Sequence, residues 1–290
     1  MAGRNYDRLD IYTFGAHLLE TGDLDPVYIA LEKMDWLDAE QRDRWLIAYW
    51  CFYHCGAASY ISEASGKEFW QRMQLAAKNE VAAPDGGRWP RGSERRHFRG
   101  EAATKAVRTL WGRYFDEPHR LVEEIAAGEG PLPYATVAER AKALPLFGPW
   151  ISFKVCDMLD RLGIVPVDFD QAAVFMFADP VKAALTLWRQ HSKLPDDAQP
   201  KSEAVKVQII ENVVSHLTEH FKDFTAPPRH ERPVGLQEIE TILCKWKSHR
   251  NGHYPLFNDI HEIRHGLTGW ADHSETARGM LHAMPKGNGS

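Results

Sequence analysis

The sequence predicts an all-α protein. Apolar residues recur at the three- and four-residue spacing of amphipathic helices along most of the chain. No segment of useful length alternates apolar and polar residues as a half-buried strand does. The 290 residues, 44% hydrophobic and 26% charged, have the composition of a soluble globular protein. This length is sufficient for one large domain or two.

The overall charge limits how this chain can bind a polyanion. Its formal net charge is −5, so contact with DNA requires local basic clusters rather than a generally positive surface. The cysteines are scattered, and Cys51 and Cys55, one helical turn apart, are expected to pack in the core. No uncharged run could span a bilayer and the N-terminus lacks a signal-peptide core, so we expect a cytoplasmic protein with no membrane partner.

Six helices are predicted before residue 128, at 11–22, 26–34, 39–62, 66–80, 102–115 and 118–127. The third carries an aromatic stripe at helical spacing, which is more typical of a core than of a site. The stripe residues are Trp45, Tyr49, Phe52 and Tyr53.

Residues 84–100 interrupt this pattern, because they lack apolar periodicity and are dense in glycine and arginine. The arginines are Arg88, Arg91, Arg95, Arg96 and Arg99, and the rings between them are Trp89, His97 and Phe98. Guanidinium groups bind phosphate or carboxylate through paired hydrogen bonds, and aromatic rings can stack on bases. A solvated loop with incidental charge is the alternative interpretation.

A tight pair of helices is predicted at 136–163. Thr136 and Glu139 form a capping box that begins a short helix ending at Leu144. Gly148 permits a reversal, and Pro149 suits the first position of the next helix because its missing N–H would be unpaired there. The unpaired backbone N–H groups at such a turn suit a phosphate.

Helices are also predicted at 171–177, 181–191, 201–222, 235–246 and 259–267, with Asp179 capping the second of these. Residues 272–275 are expected to cap a last helix. A second cationic segment follows residue 244 and contains Lys245, Trp246, Lys247, His249, Arg250 and His253.

The segment from His261 to His265 matches the H-E-x-x-H pattern of zinc proteases. The extended spacing of the metzincins is absent, the flanking helix is polar and short, and the chain lacks the strand pattern of a zincin sheet. We therefore do not predict a zinc protease, although the nearby His273 leaves incidental metal binding open.

The helix pair and the Val-Asp that follows it resemble the helix-hairpin-helix DNA glycosylases. The matching residues are Leu144, Pro145, Gly148, Ser152 and Asp168, the last at the position of the family's catalytic aspartate. Leu146 stands where the family has a hairpin glycine, and Trp150 stands where the bifunctional members have a lysine, which argues against lyase chemistry. An ordinary helical turn beside a solvated aspartate is the alternative.

The two cationic segments and the helix pair together resemble a bacteriophage family, the α-glutamyl/putrescinyl-thymine pyrophosphorylases or amino acid:DNA transferases. The resemblance covers about residues 11–281. It implies a transferase that replaces the pyrophosphate of 5-pyrophosphoryloxymethyluracil in DNA with an amino acid, a thymidine hypermodification in which no glycosidic bond is cut. The partners would be double-stranded DNA carrying that base, which is flipped out of the duplex, and a free amino acid in the cytoplasm of the host.

The resemblance also assigns roles to residues. Asp168 and Asp170 are the candidate catalytic residues. Pyrophosphate or amino-acid binding is expected of Arg88, Arg91, Arg95, Arg96, Arg99, Lys245, Lys247, His249, Arg250 and His253. Base stacking is expected of Trp89, Trp150 and Trp246, and DNA binding of Gly148, Pro149 and Ser152. No cofactor is firmly implied, and a divalent metal ion remains open.

The expected architecture is an all-α, glycosylase-like helical core at 1–224, followed by a C-terminal helical segment at 225–290 that closes the active site. Two other functions stay open from the sequence: a base-excision glycosylase acting on a modified or damaged base, and a DNA-binding module without catalysis. The identity of the amino acid, the attacking atom and the oligomeric state also stay open.

Overall fold

A computed structural model describes residues 6–169 and 177–287 and confirms the all-α class. The helices are α1 (Ile11–Thr21), α2 (Pro26–Glu32), α3 (Ala39–Phe52), α4 (Cys55–Ser62), α5 (Gly66–Lys78), α6 (Gly100–Tyr114), α7 (Arg120–Ala126), α8 (Tyr134–Lys142), α9 (Pro149–Arg161), α10 (Ala178–His191), α11 (Glu203–His220), α12 (Leu236–Arg250), α13 (Asn258–Thr268) and α14 (Glu275–Ala283). The strands of the described residues are β1 (Leu132–Pro133) and β2 (Val167–Asp168), which pair in parallel.

The chain forms two compact units that are interleaved along the sequence. The first comprises Met1–Pro26, Phe169–Asp259 and Pro285–Ser290, and the second comprises Val27–Asp168 and Ile260–Met284. The predicted boundary after residue 224 lies inside the first unit, because Phe169–Asp259 is continuous there. That the C-terminal segment closes an active site stays a prediction.

The first unit is a bundle in which α10 and α1 pack against α12 and α11 packs against α10. Its core includes Phe14, Leu217 and Phe221, which are fully buried. Gly15 marks a close approach between helices, because a Cβ there would lie 2.4 Å from the Phe221 ring. The amphipathic pattern of residues 201–222 therefore identified a helix whose apolar face is a core surface.

The second unit contains the pairs α3–α4, α5–α6 and α8–α9. Trp45, Trp50 and Trp70 are fully buried in it. The indole N–H of Trp50 donates to the sulfur of Met158 at 3.3 Å and so links α3 to α9. Of the predicted stripe, Trp45, Tyr49 and Phe52 are buried as expected, whereas Tyr53 is half-buried.

The single helix predicted at 39–62 is wrong, because the backbone turns at Tyr53 and His54. Tyr53 has a left-handed φ of 51°, and His54 is extended with φ −142°. The His54 imidazole accepts the N–H of Ala57 through Nδ1 at 3.2 Å and so caps α4. Histidine is not among the usual N-cap residues, which is why the sequence pattern missed this break.

Three local predictions also differ from the structure. The Thr136 capping box is wrong: α8 begins at Tyr134, because pairing of β1 with β2 fixes the extended backbone up to Pro133. Asp179 lies in the first turn of α10, which Phe177 precedes as N-cap. Helix α12 continues to Arg250 rather than ending near 246, so much of the second cationic segment is helical. The helix predicted at 171–177 lies almost wholly outside the described residues.

None of the helices in the described ranges combines the length and the hydropathy needed to span a membrane.

Candidate functional site

The predicted helix pair is formed by α8 and α9, joined by residues 143–148. Pro149 occupies the first turn of α9 as predicted, and both Pro149 and Gly148 are exposed. Leu146, at the glycine position of the resembling family, adopts the left-handed conformation with φ 64°. The connection therefore has the backbone shape that a glycine would favour, although a leucine forms it.

Ser152 does not offer its hydroxyl to a ligand in this conformation. The residue is fully buried, and its Oγ donates to the carbonyl oxygen of Gly148 at 3.0 Å. Any contact of this turn with a phosphate therefore relies on the exposed backbone of Gly148 and the residues at the start of α9.

Arg95 of the arginine-rich loop is buried, with only 1% of its surface exposed. Its Nε donates to the carbonyl oxygen of Cys51 at 3.2 Å, and its Nη1 donates to that of Leu146 at 2.9 Å. Burial lowers the pKa of the Arg95 guanidinium. Arg95 thus connects the loop both to the end of α3 and to the tip of the 143–148 connection.

Arg91 has a similar structural role. Its guanidinium donates to the carbonyl oxygens of Phe98 at 2.6 Å and Trp89 at 2.8 Å, and also to that of Ala76. Burial lowers the pKa of Arg91 to about 10. Because these donors are engaged by backbone oxygens, Arg91 fixes the shape of the loop.

The other three arginines of the loop, Arg88, Arg96 and Arg99, are exposed. Arg96 makes a hydrogen bond from Nη1 to the carbonyl oxygen of Ser93 at 3.3 Å. Arg99 is the residue before α6, and its guanidinium is available to solvent. The loop therefore combines two arginines that organise it with three that can meet an anion.

The aromatic residues of this unit also differ in their availability. Trp89 is 5% exposed and packs against the rings of Tyr60 and Trp270, so it cannot stack on a base in this conformation. Trp150 is half-buried, and its ring meets that of Tyr53 edge-on with centroids 4.9 Å apart. Tyr53 is a candidate stacking residue that the sequence missed, because its exposure depends on the break between α3 and α4.

Asp168 stands at the end of β2 with its side chain exposed. It is paired in register with Pro133, the residue immediately before α8, and the N–H of Val167 donates to the Asp160 carboxylate at 2.9 Å. The strand pair thus fixes the backbone of Asp168 against the start of the helix pair. Asp170 lies outside the described residues.

In the first unit, two residues of the second cationic segment hold the fold together. The Lys245 ammonium group donates to the carbonyl oxygen of Asp23 at 2.7 Å and to the Asp259 carboxylate at 2.7 Å. The fully buried His249 accepts the N–H of Leu9 through Nε2 at 2.9 Å, and its Nδ1 lies 2.7 Å from the carbonyl oxygen of Tyr254. Burial lowers the pKa of His249, which is consistent with a neutral ring whose two nitrogens are both engaged.

The remaining residues of the segment differ in their exposure. The half-buried Lys247 pairs with Asp179 at 2.9 Å, and His253 is exposed. Trp246 is 2% exposed and donates its indole N–H to the carbonyl oxygen of Leu9 at 3.2 Å. The Arg250 guanidinium lies 5.1 Å from the centre of the Trp246 ring. Trp246 therefore packs against the Arg250 guanidinium and has no exposed ring face on which a base could stack.

A cavity of 230 Å³ lies in the first unit between α10 and the end of α12. Its polar lining consists of Thr186, Arg189, Asp196, Lys247, Arg250 and Asn251. Four of these residues were not predicted. Asn251 was passed over within the second cationic segment, and no local pattern distinguishes Thr186, Arg189 and Asp196 from ordinary surface residues. Only the packing of α10 against α12 brings them to Arg250.

Within residues 6–169 and 177–287, no group of three or more His, Cys, Asp or Glu side chains is arranged to hold a metal ion. His261 and His265 of the H-E-x-x-H segment are both exposed on α13.

Comparison with known proteins adds independent information. A family model described as "Amino acid:DNA transferase" matches residues 19–253. The "Glycinyltransferase" of Pseudomonas phage PaMx11 is 51% identical over 290 residues, covering 98% of each chain. The "Putrescinyltransferase" of Delftia phage PhiW-14 is 24% identical over 264 residues, covering 90% of this chain and 79% of its own. The family match includes Asp168, the arginine-rich loop and the second cationic segment up to His253.

Proposed function

This chain belongs to the amino acid:DNA transferase family and transfers an amino acid onto DNA, and we propose that its acceptor is 5-pyrophosphoryloxymethyluracil and its donor glycine. The choice of glycine is supported by the name of the relative that is 51% identical over nearly the whole chain. The choice of a pyrophosphorylated base is supported by exposed arginines, which suit a polyanionic leaving group.

The proposed reaction is a displacement at the methylene carbon attached to C5 of the pyrimidine. The amine nitrogen of glycine forms a bond to that carbon while the carbon–oxygen bond to the pyrophosphate breaks. The bonding electron pair leaves on the pyrophosphate oxygen, and the amine loses a proton to a base. The glycosidic bond is untouched, so the products are glycinylated DNA and free pyrophosphate.

Arg88, Arg96 and Arg99 are proposed to bind the departing pyrophosphate, because all three guanidinium groups are exposed on one loop. Negative charge increases on the leaving oxygen in the transition state, where a pre-positioned cation is most useful. A single contact of this kind is worth about 2.7–4 kcal/mol. Arg91 and Arg95 are proposed to act indirectly, by holding the loop in shape through backbone carbonyl oxygens.

Asp168 is proposed to take the proton from the glycine ammonium group or to stabilise positive charge at the methylene carbon. Its exposed carboxylate, held at the end of β2, supports either role. Asp170 remains the competing candidate.

The exposed turn at Gly148 and Pro149 is proposed to bind a DNA phosphate through unpaired backbone N–H groups. Tyr53 and Trp150 are proposed to stack on the extruded pyrimidine, since both rings are half-buried and form one aromatic surface.

The observation that carries this proposal is the division of the loop arginines into two that bind carbonyl oxygens, the buried Arg95 and the half-buried Arg91, and three exposed ones. A direct test supplies the protein with a duplex containing 5-pyrophosphoryloxymethyluracil and with a pool of amino acids. Pyrophosphate and a nucleoside heavier by the transferred glycine should appear in equal amounts. Alkali-labile sites with no gain in nucleoside mass would indicate a base-excision glycosylase instead.

Replacing Asp168 by asparagine tests the assigned aspartate. Asp168→Asn should abolish turnover and leave duplex binding nearly unchanged, because the substitution removes the charge and preserves the shape. Full activity of this variant would transfer the role to another residue.

A further inference from the structure

The cavity between α10 and α12 in the first unit contains charged groups that do not neutralise one another. We propose that this cavity binds the amino-acid substrate, with the carboxylate at Arg189 and Arg250 and the ammonium group at Asp196; this inference rests on the proposed function.

Both guanidinium groups have unused donors. Arg250 lies over the Trp246 ring, and no carboxylate of the described residues pairs with it. Arg189 donates its Nε to the carbonyl oxygen of Ala198 at 2.8 Å, which leaves its two terminal nitrogens without a hydrogen-bond partner in the part of the chain that the structure describes. The cavity can therefore supply paired N–H groups to an incoming carboxylate.

Asp196 supplies the opposite charge. Its exposed carboxylate lines the same cavity, and no lysine or arginine of the described ranges pairs with it. A cavity with unpaired charges of both signs is complementary to a zwitterion. The carboxylate of the ligand pairs with the guanidinium groups while its ammonium group pairs with Asp196. Lys247 of the same lining is already paired with Asp179. A phosphate or pyrophosphate would therefore satisfy the two arginines but would be repelled by Asp196.

The size of the cavity suits a ligand as small as an amino acid. Its 230 Å³ is below the roughly 300–1,000 Å³ typical of sites for drug-sized ligands. Trp246 closes one side and is fixed by its N–H bond to Leu9, while Ala183 and Thr186 line the cavity from α10. The cavity is large enough to hold a glycine without displacing these residues.

The first experiment measures binding of radiolabelled glycine to the intact protein by equilibrium dialysis without DNA, together with the KM for glycine during turnover. Arg189→Ala, Arg250→Ala and Asp196→Asn should each raise the Kd or the KM for glycine by at least about tenfold, the expected effect of losing a charge-assisted hydrogen bond. The KM for the DNA substrate should change by less than about threefold. Lys206→Ala is the matched control, since Lys206 is a cation of the same unit outside the cavity.

Inorganic pyrophosphate serves as the competing probe. Asp196→Asn should leave pyrophosphate binding unchanged or tighten it while glycine binding weakens. If the three variants change the KM for DNA or the binding of pyrophosphate and leave glycine unaffected, the cavity is a phosphate site and the inference is overturned. Unchanged values for all three ligands would overturn it equally.

These measurements test the glycine-binding cavity independently of the proposed pyrophosphate leaving group. If the protein glycinylates a base that carries no pyrophosphate, the proposed function fails. The cavity assignment would still be supported in that case, provided that the three variants raise the KM for glycine.

Discussion

Arg95 donates a hydrogen bond from Nη1 to the carbonyl oxygen of Leu146 at 2.9 Å, across 51 residues of sequence. This bond ties the arginine-rich loop to the tip of the connection between α8 and α9. It places the charge of Arg95 inside the protein, where the guanidinium organises two segments instead of meeting a ligand. The neighbouring Arg96 is exposed and free to do so.

Arg95→Ala should therefore mainly lower stability, whereas Arg96→Ala should mainly lower activity. Arg95→Ala leaves the carbonyl oxygens of Cys51 and Leu146 without their donor and should lower the free energy of unfolding by about 3 kcal/mol. Arg96→Ala should change stability by less than about 0.5 kcal/mol but slow turnover of pyrophosphorylated DNA. Urea denaturation and steady-state turnover measure the two effects. An unchanged stability for Arg95→Ala would contradict the scaffold role.

Leu146→Gly should be more stable than Leu146→Ala, because Leu146 has a left-handed φ of 64°. The left-handed conformation costs an L-residue about 1–2 kcal/mol, which exceeds the roughly 0.5–1 kcal/mol penalty for the flexibility of an unfolded glycine. Leu146 is 37% exposed, and both substitutions remove the buried part of its side chain, so the comparison isolates the backbone. The difference between the two variants expected in urea denaturation is up to about 1 kcal/mol.

Leu146→Val is the matched control for this turn, because a β-branched residue tolerates the left-handed region least well. It should be less stable than Leu146→Gly, although valine keeps more of the apolar side chain. A Leu146→Val protein that is more stable than Leu146→Gly would mean that side-chain packing of Leu146, rather than its backbone conformation, controls the turn.

The cap of α4 should make stability depend on pH. Burial lowers the pKa of His54 to about 4 from an ordinary value of 6.5, so between these values the unfolded chain binds a proton that the folded chain does not. The contribution of His54 to the free energy of unfolding is therefore complete above pH 6.5 and is lost as the pH falls toward 4. The expected loss is about 3 kcal/mol, at roughly 1.4 kcal/mol per unit of pKa.

His54→Asn isolates this effect, because asparagine retains a side-chain acceptor suited to an N-cap and does not titrate. Asp43, whose pKa burial raises to about 6, titrates in the same pH range in both proteins. The contribution of His54 is therefore measured as the difference in the free energy of unfolding between the two proteins, at pH 7 and again at pH 4.5. A difference that does not vary with pH would contradict the account of His54.

Most helices and the helix pair could be predicted from local sequence pattern, because proline, glycine and the spacing of apolar residues act within a few residues. Local pattern also identified the arginine-rich loop. It could not distinguish Arg95 from Arg96, because the acceptors of Arg95 lie 44 and 51 residues away. The cavity of the first unit was missed for the same reason, since Arg189 and Arg250 meet only through the packing of α10 on α12.

The break at Tyr53 and His54 has a different cause. Nothing in the aromatic spacing marks an end to the helix, and histidine rarely serves as an N-cap. Tertiary packing supplies the reason: a Cβ on Gly56 of α4 would lie 2.4 Å from the Trp270 ring, so α4 is fixed where only glycine fits. Such a constraint involves residues more than 200 positions apart and cannot be recognised locally.

In the proposed reaction the bond from the methylene carbon to the pyrophosphate oxygen breaks. The most direct measurement uses duplex DNA whose bridging oxygen between methylene and pyrophosphate carries oxygen-18, incubated with the protein and glycine. The label is expected to leave entirely in the released pyrophosphate, in an amount equal to the glycinylated nucleoside. Label retained in a hydroxymethyl nucleoside, or free base released beside an abasic site, would contradict it.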